Sequence, residues 1–213
     1  MRAYKLHLLE ISECRWTGCG KRITSTGETI VYSGRNDEKH HGGVAIIMNR
    51  NVTKPMLVYV PVNERIIRTR FQTKKGKLTI IQCYAPTNEA DNEEKTDFYL
   101  ALQSEIEKVP KHDVTIVMGD LNAKAGNDNT GNERLMRRYG CGNINNNGER
   151  LVDLCGTNNL VIGGTIFPHR EMHKLTWISP NGMDKTQIRL YYYQWKVEKI
   201  TAGCTCYAGC RCC

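Results

Sequence analysis

An aspartate and an asparagine two residues apart close an apolar run in VMGDLNAK, residues 117–124. In an extended chain, positions two apart project to the same side. Asp120 and Asn122 would then emerge together at a strand end, and a carboxylate beside an amide can hold a water and a phosphate oxygen. On its own the stretch also reads as a turn, because Gly, Asp and Asn are turn formers. Two other stretches bear on the choice. ISE, 11–13, puts Glu13 at a second strand end, and CYAPTN, 83–88, puts Tyr84 at a third. Oxygen ligands of this kind suit Mg²⁺, which keeps several waters and takes one or two carboxylates from protein. Taken singly, Glu13 is a surface charge and Tyr84 a core aromatic with a satisfied hydroxyl. Taken together, the three strand ends point to metal-assisted phosphate chemistry.

The elements that must position these groups are predicted from apolar runs and turn residues. LHLLEIS, 6–12, reads as a strand that ends at Glu13, and residues 14–28 read as a loop rich in Gly and Thr. ETIVYSG and GGVAIIMN read as strands separated by a polar turn at 35–43, and MLVYVPV as another. Residues 64–86 read as two strands around the turn KKGK. Alternation there puts Ile66, Arg68 and Arg70 on one face and Ile67, Thr69 and Phe71 on the other. KTDFYLALQSEIEKV reads as an amphipathic helix with Phe98, Leu102, Ile106 and Val109 on one stripe. DVTIVMGDLNAK is a buried strand running into a loop, GERLVDLCGTNNL a short helix, LVIGG a strand, and HKLTWISPNG a strand and turn. The polar stretch 128–149 reads as a long mobile loop. Strands outnumber helices, and hairpins mix with longer crossovers, which indicates an α/β domain with a largely antiparallel or mixed sheet system.

A chain of 213 residues makes one domain, or one domain and a tail. The net charge of +8 favours a polyanionic partner through counterion release; a merely basic, soluble surface fits it as well. The longest apolar run, VAIIM at 44–48, is far short of the ~20 residues of a membrane span or the ~7 or more of a signal core. The expectation is an intracellular, nuclear protein in a reducing compartment, where disulfides are rare. Cys14, Cys19, Cys83, Cys141 and Cys155 lack CxxC pairing and read as small apolar residues or free thiols.

Between residues 4 and 188 the text resembles a known family. ISECRWTG, STGETIVYSG, GGVAIIM, ERII, IIQCYAPTN, DVTIVMGDLNAKAG, NGERLVDLC, LVIGGTIFPH and HKLTWISP occur in the order found in the endonuclease domain of RTE-type non-LTR retrotransposons and of host proteins derived from it. That domain belongs to the endonuclease/exonuclease/phosphatase superfamily. The resemblance implies a four-layered α/β/β/α sandwich with its site at one end. It implies Glu13 as the Mg²⁺ carboxylate and Tyr84 as a contact to the scissile phosphate. It implies Asp120 as the group that activates water, and Asn122 as the group that orients water or phosphate. Arg15 and Trp16 would line the DNA groove and Thr176 and Trp177 its rim, Trp177 fitting the core equally well. The implied partner is DNA, bound by a monomer without a small-molecule cofactor.

The family pattern also has a first-strand Asn in a W-N-hydrophobic context, a Q-I-D motif and a closing S-D-H. Here TQI is followed by Arg189 and no S-D-H occurs, so the expectation is a domain truncated at both ends. The tail TAGCTCYAGCRCC, 201–213, holds five of the ten cysteines. As a zinc site it lacks a second knuckle and a nearby His, and as a disulfide knot it conflicts with the compartment. Codons exist for QIRLYYYQW that, on loss of a single C in the Arg189 codon, read QIDYIIISG. Residues 189–213 are therefore read as a frame-shifted tail. Three functions stay open at this point: a Mg²⁺-dependent DNA endonuclease with little activity, a catalytically dead DNA-binding module, and a product that folds poorly.

Overall fold

The computed structural model describes residues 1–168, the side chain of Arg2 excepted, and the backbone of strands at 177–178, 185–186 and 189–194. In chain order the elements begin with β1 (Leu8–Ser12), β2 (Cys19–Ile23), β3 (Thr29–Ser33), β4 (Val44–Met48) and the short α1 (Arg50–Thr53). They continue with β5 (Met56–Asn63), β6 (Ile66–Thr73), β7 (Gly76–Tyr84), α2 (Asn92–Glu107), β8 (Val114–Asp120), α3 (Asn146–Asn158) and β9 (Leu160–Ile162). The last strands are β10 (Trp177–Ile178), β11 (Lys185–Thr186) and β12 (Arg189–Gln194). One sheet has the order β1-β4-β3-β2 and is antiparallel throughout. The other has the order β5-β6-β7-β8-β12-β9, with β7 and β8 parallel across the α2 crossover. β10 and β11 form a separate two-stranded ribbon.

The alternation read from the sequence builds two cores. Ile67, Phe71, Ile80 and Met118 of the larger sheet pack against Val31, Val44, Ile46 and Met48 of the smaller one. The opposite face offers Ile66, Ile81, Cys83 and Val117 to α2 and α3. The α2 stripe of Phe98, Leu102 and Ile106, extended by Val109, is buried there, and Leu102 is fully enclosed. Cutting Leu102 to Ala would cost about 2–5 kcal/mol through lost burial and the cavity left behind. The helix ends before Pro110, which cannot continue it. α3 starts where Asn145 Oδ1 accepts the Gly148 N–H at 2.8 Å and stops at Asn159 in the left-handed conformation. The expected sandwich of two packed sheets with helices is thus present. Among the described residues, α1 after β4 buries no side chain, so the helical cover lies on the larger sheet.

Two local readings need correction. Residues 14–28 are not all loop, because 19–23 form the edge strand β2. Four of its five residues are exposed, so no apolar alternation marks it; Lys21 and Arg22 are what a protected sheet edge carries. The stretch 128–149 is not a free excursion either. Met136 is buried in the helix-side core, Asn129 is buried, and α3 already begins at Asn146. After Gln187, RLYYYQ forms β12 between β8 and β9. Aromatic and β-compatible residues satisfy a sheet position whatever their origin. No helix among the described residues is long and apolar enough to cross a membrane.

Candidate active site

Parallel pairing of β7 and β8 brings both C-terminal ends to one edge, in a register that sets Tyr84 beside Asp120. β1, from the other sheet, packs against the same two strands and delivers Glu13 one residue past its end. Tyr84 Oη donates to Glu13 Oε1 at 2.5 Å, joining residues 71 apart in sequence. Burial, the bond to Glu13, and the charges of Glu13 and Asp120 all push the Tyr84 phenol above its ordinary range. It therefore stays a neutral donor at any physiological pH.

The backbone at these ends is strained in a consistent way. Glu13, Arg15 and Asn122 take left-handed φ values of 57°, 55° and 49°. Each costs an L side chain about 1–2 kcal/mol, and such strain concentrates at functional sites. Glycines make room for it. Cys14 and Arg15 donate their N–H groups to the carbonyls of Gly43 and Gly42 at 3.1 and 2.8 Å. A Cβ at Gly43 would lie 2.8 Å from Cys14 Sγ. At Gly119, with φ 140°, a Cβ would lie 1.9 Å from the Cys83 carbonyl oxygen, so only glycine lets β8 come this close to β7.

Asp120 and Asn122 do not emerge side by side from an extended strand. The chain turns after Asp120, whose Oδ1 accepts the Asn122 backbone N–H at 3.0 Å. The Asn122 side chain turns back and donates to the Ala85 carbonyl at 3.0 Å. Asn145 and Asn147 donate to the Asn122 carbonyl at 3.0 and 3.4 Å. The turn reading fits this geometry: Asn122 braces the corner that presents Asp120.

A cleft of about 250 Å³ opens over Tyr84, lined also by Glu13, Arg15, Arg35, His41 and Arg65. Arg65, which sequence reasoning missed, lies in the β5–β6 turn. Its guanidinium sits 5.5 Å from the Tyr84 ring centroid, donates to the Tyr84 carbonyl at 3.3 Å and pairs with Glu94 at 2.6 Å. The ERII motif contained it, but a charged turn residue gives no local sign of what it stacks on. Of the other expected residues, Trp16 lies in an adjoining cleft against Tyr32. Trp177 opens β10, with only its backbone described, and Thr176 lies outside the described residues. At backbone level Arg189 is the register partner of Asp120.

Among the described residues no three His, Cys, Asp or Glu side chains gather to enclose a metal ion. The donor set instead fits a hydrated cation. Glu13 is exposed and gives one oxygen to Tyr84, leaving the other for an ion that keeps most of its waters.

No protein-family model matches the chain. Over 188 residues, 88% of the chain, it is 38% identical to craniofacial development protein 2 of Bos taurus and equally to that of Tragulus javanicus. It spans about a third, 31% and 32%, of the length of these curated relatives. Among solved structures it is similar to the endonuclease domain of TRAS1, a telomere-specific non-LTR retrotransposon. The TM-score there is 0.58 at 14% identity, covering 91% of this chain and 75% of that one. The catalytic domain of Xenopus laevis APE2 matches at TM-score 0.62 and 14% identity, with the same coverage of each chain. The chain is thus similar in sequence to about a third of craniofacial development protein 2, and it shares the fold of these endonuclease and APE2 catalytic domains.

Proposed function

We propose that the domain descends from an RTE-type retrotransposon endonuclease and hydrolyses DNA phosphodiesters with Mg²⁺, weakly in this chain. The observation that carries the reading is the Tyr84–Glu13 hydrogen bond beside Asp120, which gathers three groups from three strands at one end of the sandwich. Glu13 would hold the cation, which when bound stabilises charge on the phosphoryl oxygens. Asp120, aimed by the Asn122 N–H, takes the proton of the attacking water. Tyr84, kept protonated, supplies a donor to a non-bridging oxygen of the scissile phosphate. Asn122 acts through the corner it braces. Arg15, Arg35 and Arg65 around the cleft, with the net charge of +8, give the DNA backbone its cations. By the family resemblance Thr176 and Trp177 would serve the rim of the DNA groove, and a DNA substrate would call for a nuclear location.

Arg189 favours a second reading, a DNA-binding module that has lost catalysis. It puts a cation in backbone register with Asp120 where the resembled family has the Asp of Q-I-D. Residues 189–213 are on this view the frame-shifted product of that same text, and the nucleotide sequence at the Arg189 codon tests it. Loss of one base there should open a frame through Q-I-D; stops or unrelated residues in that frame defeat it. For the activity itself the test is Mg²⁺-dependent nicking of supercoiled plasmid. The chain should nick near background and bind DNA with an affinity that falls steeply as salt rises. Arg189→Asp should raise nicking, and Asp120→Asn added to it should remove the gain. If Arg189→Asp binds DNA but nicks no faster, the second reading stands and the first falls.

A further inference from the structure

We infer that the cleft beside Trp16 takes an unpaired nucleobase from the DNA strand held at the Glu13–Tyr84 site; this rests on the DNA reading above. Trp16 is 40% exposed, yet it is firmly placed. Its ring meets Tyr32, a buried residue of β3, edge-on, with centroids 4.9 Å apart and planes at 87°. Its backbone is wedged against the end of β3: a Cβ at Gly34 would lie 1.7 Å from the Trp16 carbonyl oxygen. Two 2.7 Å bonds, Gly34 N–H to Gly18 O and Gly18 N–H to Arg35 O, lock the segment down. The strained Glu13 and Arg15 stand just before it. Strain and close backbone packing that hold an indole open to solvent are not explained by burial.

The surroundings select the occupant. The cleft, about 260 Å³, is lined by Trp16, Thr17, Arg22, Tyr32 and His40. His40 Nδ1 lies 2.9 Å from the Arg15 carbonyl oxygen, and Arg15 also lines the Glu13–Tyr84 cleft. Residues 13–17 are thus a wall between a phosphate-type site and an aromatic one. A T-shaped contact with Tyr32 uses at most one face of the indole. A flat ligand can stack on the other while its phosphates meet Arg15 and Arg22. Paired bases in a duplex already stack on each other, so an indole rewards a base that is single-stranded or displaced from the helix.

The experiment compares the full chain with Trp16→Ala and Trp16→Phe on three probes: a short single-stranded oligonucleotide, its fully paired duplex, and that duplex with a one-base bulge. Fluorescence anisotropy gives each Kd, and thermal melting checks the fold. Trp16→Ala should weaken the single-stranded and bulged probes by about tenfold and leave the paired duplex nearly unchanged. Trp16→Phe should restore most of the loss. The bulged probe should also quench intrinsic fluorescence in the parent chain more than in Trp16→Phe; that comparison decides the matter if Trp16→Ala fails to fold. Equal losses on all three probes, or none on any, overturn the inference and leave the DNA reading intact. Failure of every probe to bind overturns both.

Discussion

An aspartate stands at each end of β8, and the two are treated in opposite ways. Asp113, just before the strand, is buried and held by both nitrogens of the Arg70 fork, at 2.6 and 3.0 Å, and by Thr79 Oγ1 at 2.8 Å. Its carboxyl lies below the usual range, chiefly because of the Arg70 hydrogen bond. Asp120, at the far end, is half-buried, aimed by a backbone N–H, and shares its edge with Glu13 and Tyr84. Arg68, Glu105 and Lys108 repeat the first pattern on the helix-facing side. The contrast teaches that carboxylates at strand ends serve two purposes. A fork of donors in a tight, regular backbone makes a tether. A carboxylate at a strained corner beside a second acid is the arrangement the proposed function would use to hold a cation and a phosphate.

The contrast breaks most visibly at Asp120. In the Arg189→Asp chain, Asp120→Asn should cut plasmid nicking by about 10²–10³ while leaving the melting temperature almost unchanged. An equally active variant would show that the catalytic group has been misassigned. Next comes Gly119→Ala. Its Cβ would collide with the Cys83 carbonyl at a φ unsuited to alanine, so the loss in stability should be about 3 kcal/mol or more, read from denaturant unfolding. A neutral result would mean that β7 and β8 can separate without harm.

Asp113→Asn should act on stability alone. Breaking a mostly buried pair should cost about 2–3 kcal/mol, discounted because Arg70 is partly exposed, and should leave nicking per folded molecule intact. The sign of the pH effect follows. A carboxyl with its folded pKa depressed contributes stability that is present above its unfolded pKa and lost as pH falls through the folded one. Melting temperatures of parent and Asp113→Asn should therefore diverge at neutral pH and converge below about pH 4. A gap that persists in acid would assign the effect to packing instead. The smallest effect expected is Tyr84→Phe. Removing one hydroxyl at a half-exposed bond should cost about 0.5–1.5 kcal/mol at most in stability. A fall in nicking larger than that stability loss accounts for would place Tyr84 on the chemical side of the contrast.

How much of this was legible depends on the range of the interaction involved. Apolar period and turn residues are local, so the strands, the α2 stripe and the two faces of β6 could be read directly. Ile66 went to the helix-side core and Ile67 to the inter-sheet core, as alternation required. Glu13, Tyr84 and Asp120 could be singled out as strand-end groups because their apolar runs end beside them. What brings them together is not local. The parallel register of β7 and β8, the packing of β1 from another sheet and the 71-residue reach from Glu13 to Tyr84 depend on which strands pair. Arg65 joined the site because a turn between two other strands folds over Tyr84. Asn122 turned away from its expected place because a left-handed corner replaced an extended one. β2 escaped notice because an exposed edge strand has no buried face to impose a period on its residues. The sequence by itself determined which groups could do chemistry and which segments could be strands, since both depend on residue type and near neighbours. Only the tertiary structure decided which of those groups meet, because pairing between distant strands is selected by the packing of whole faces and leaves no periodic mark in any single segment.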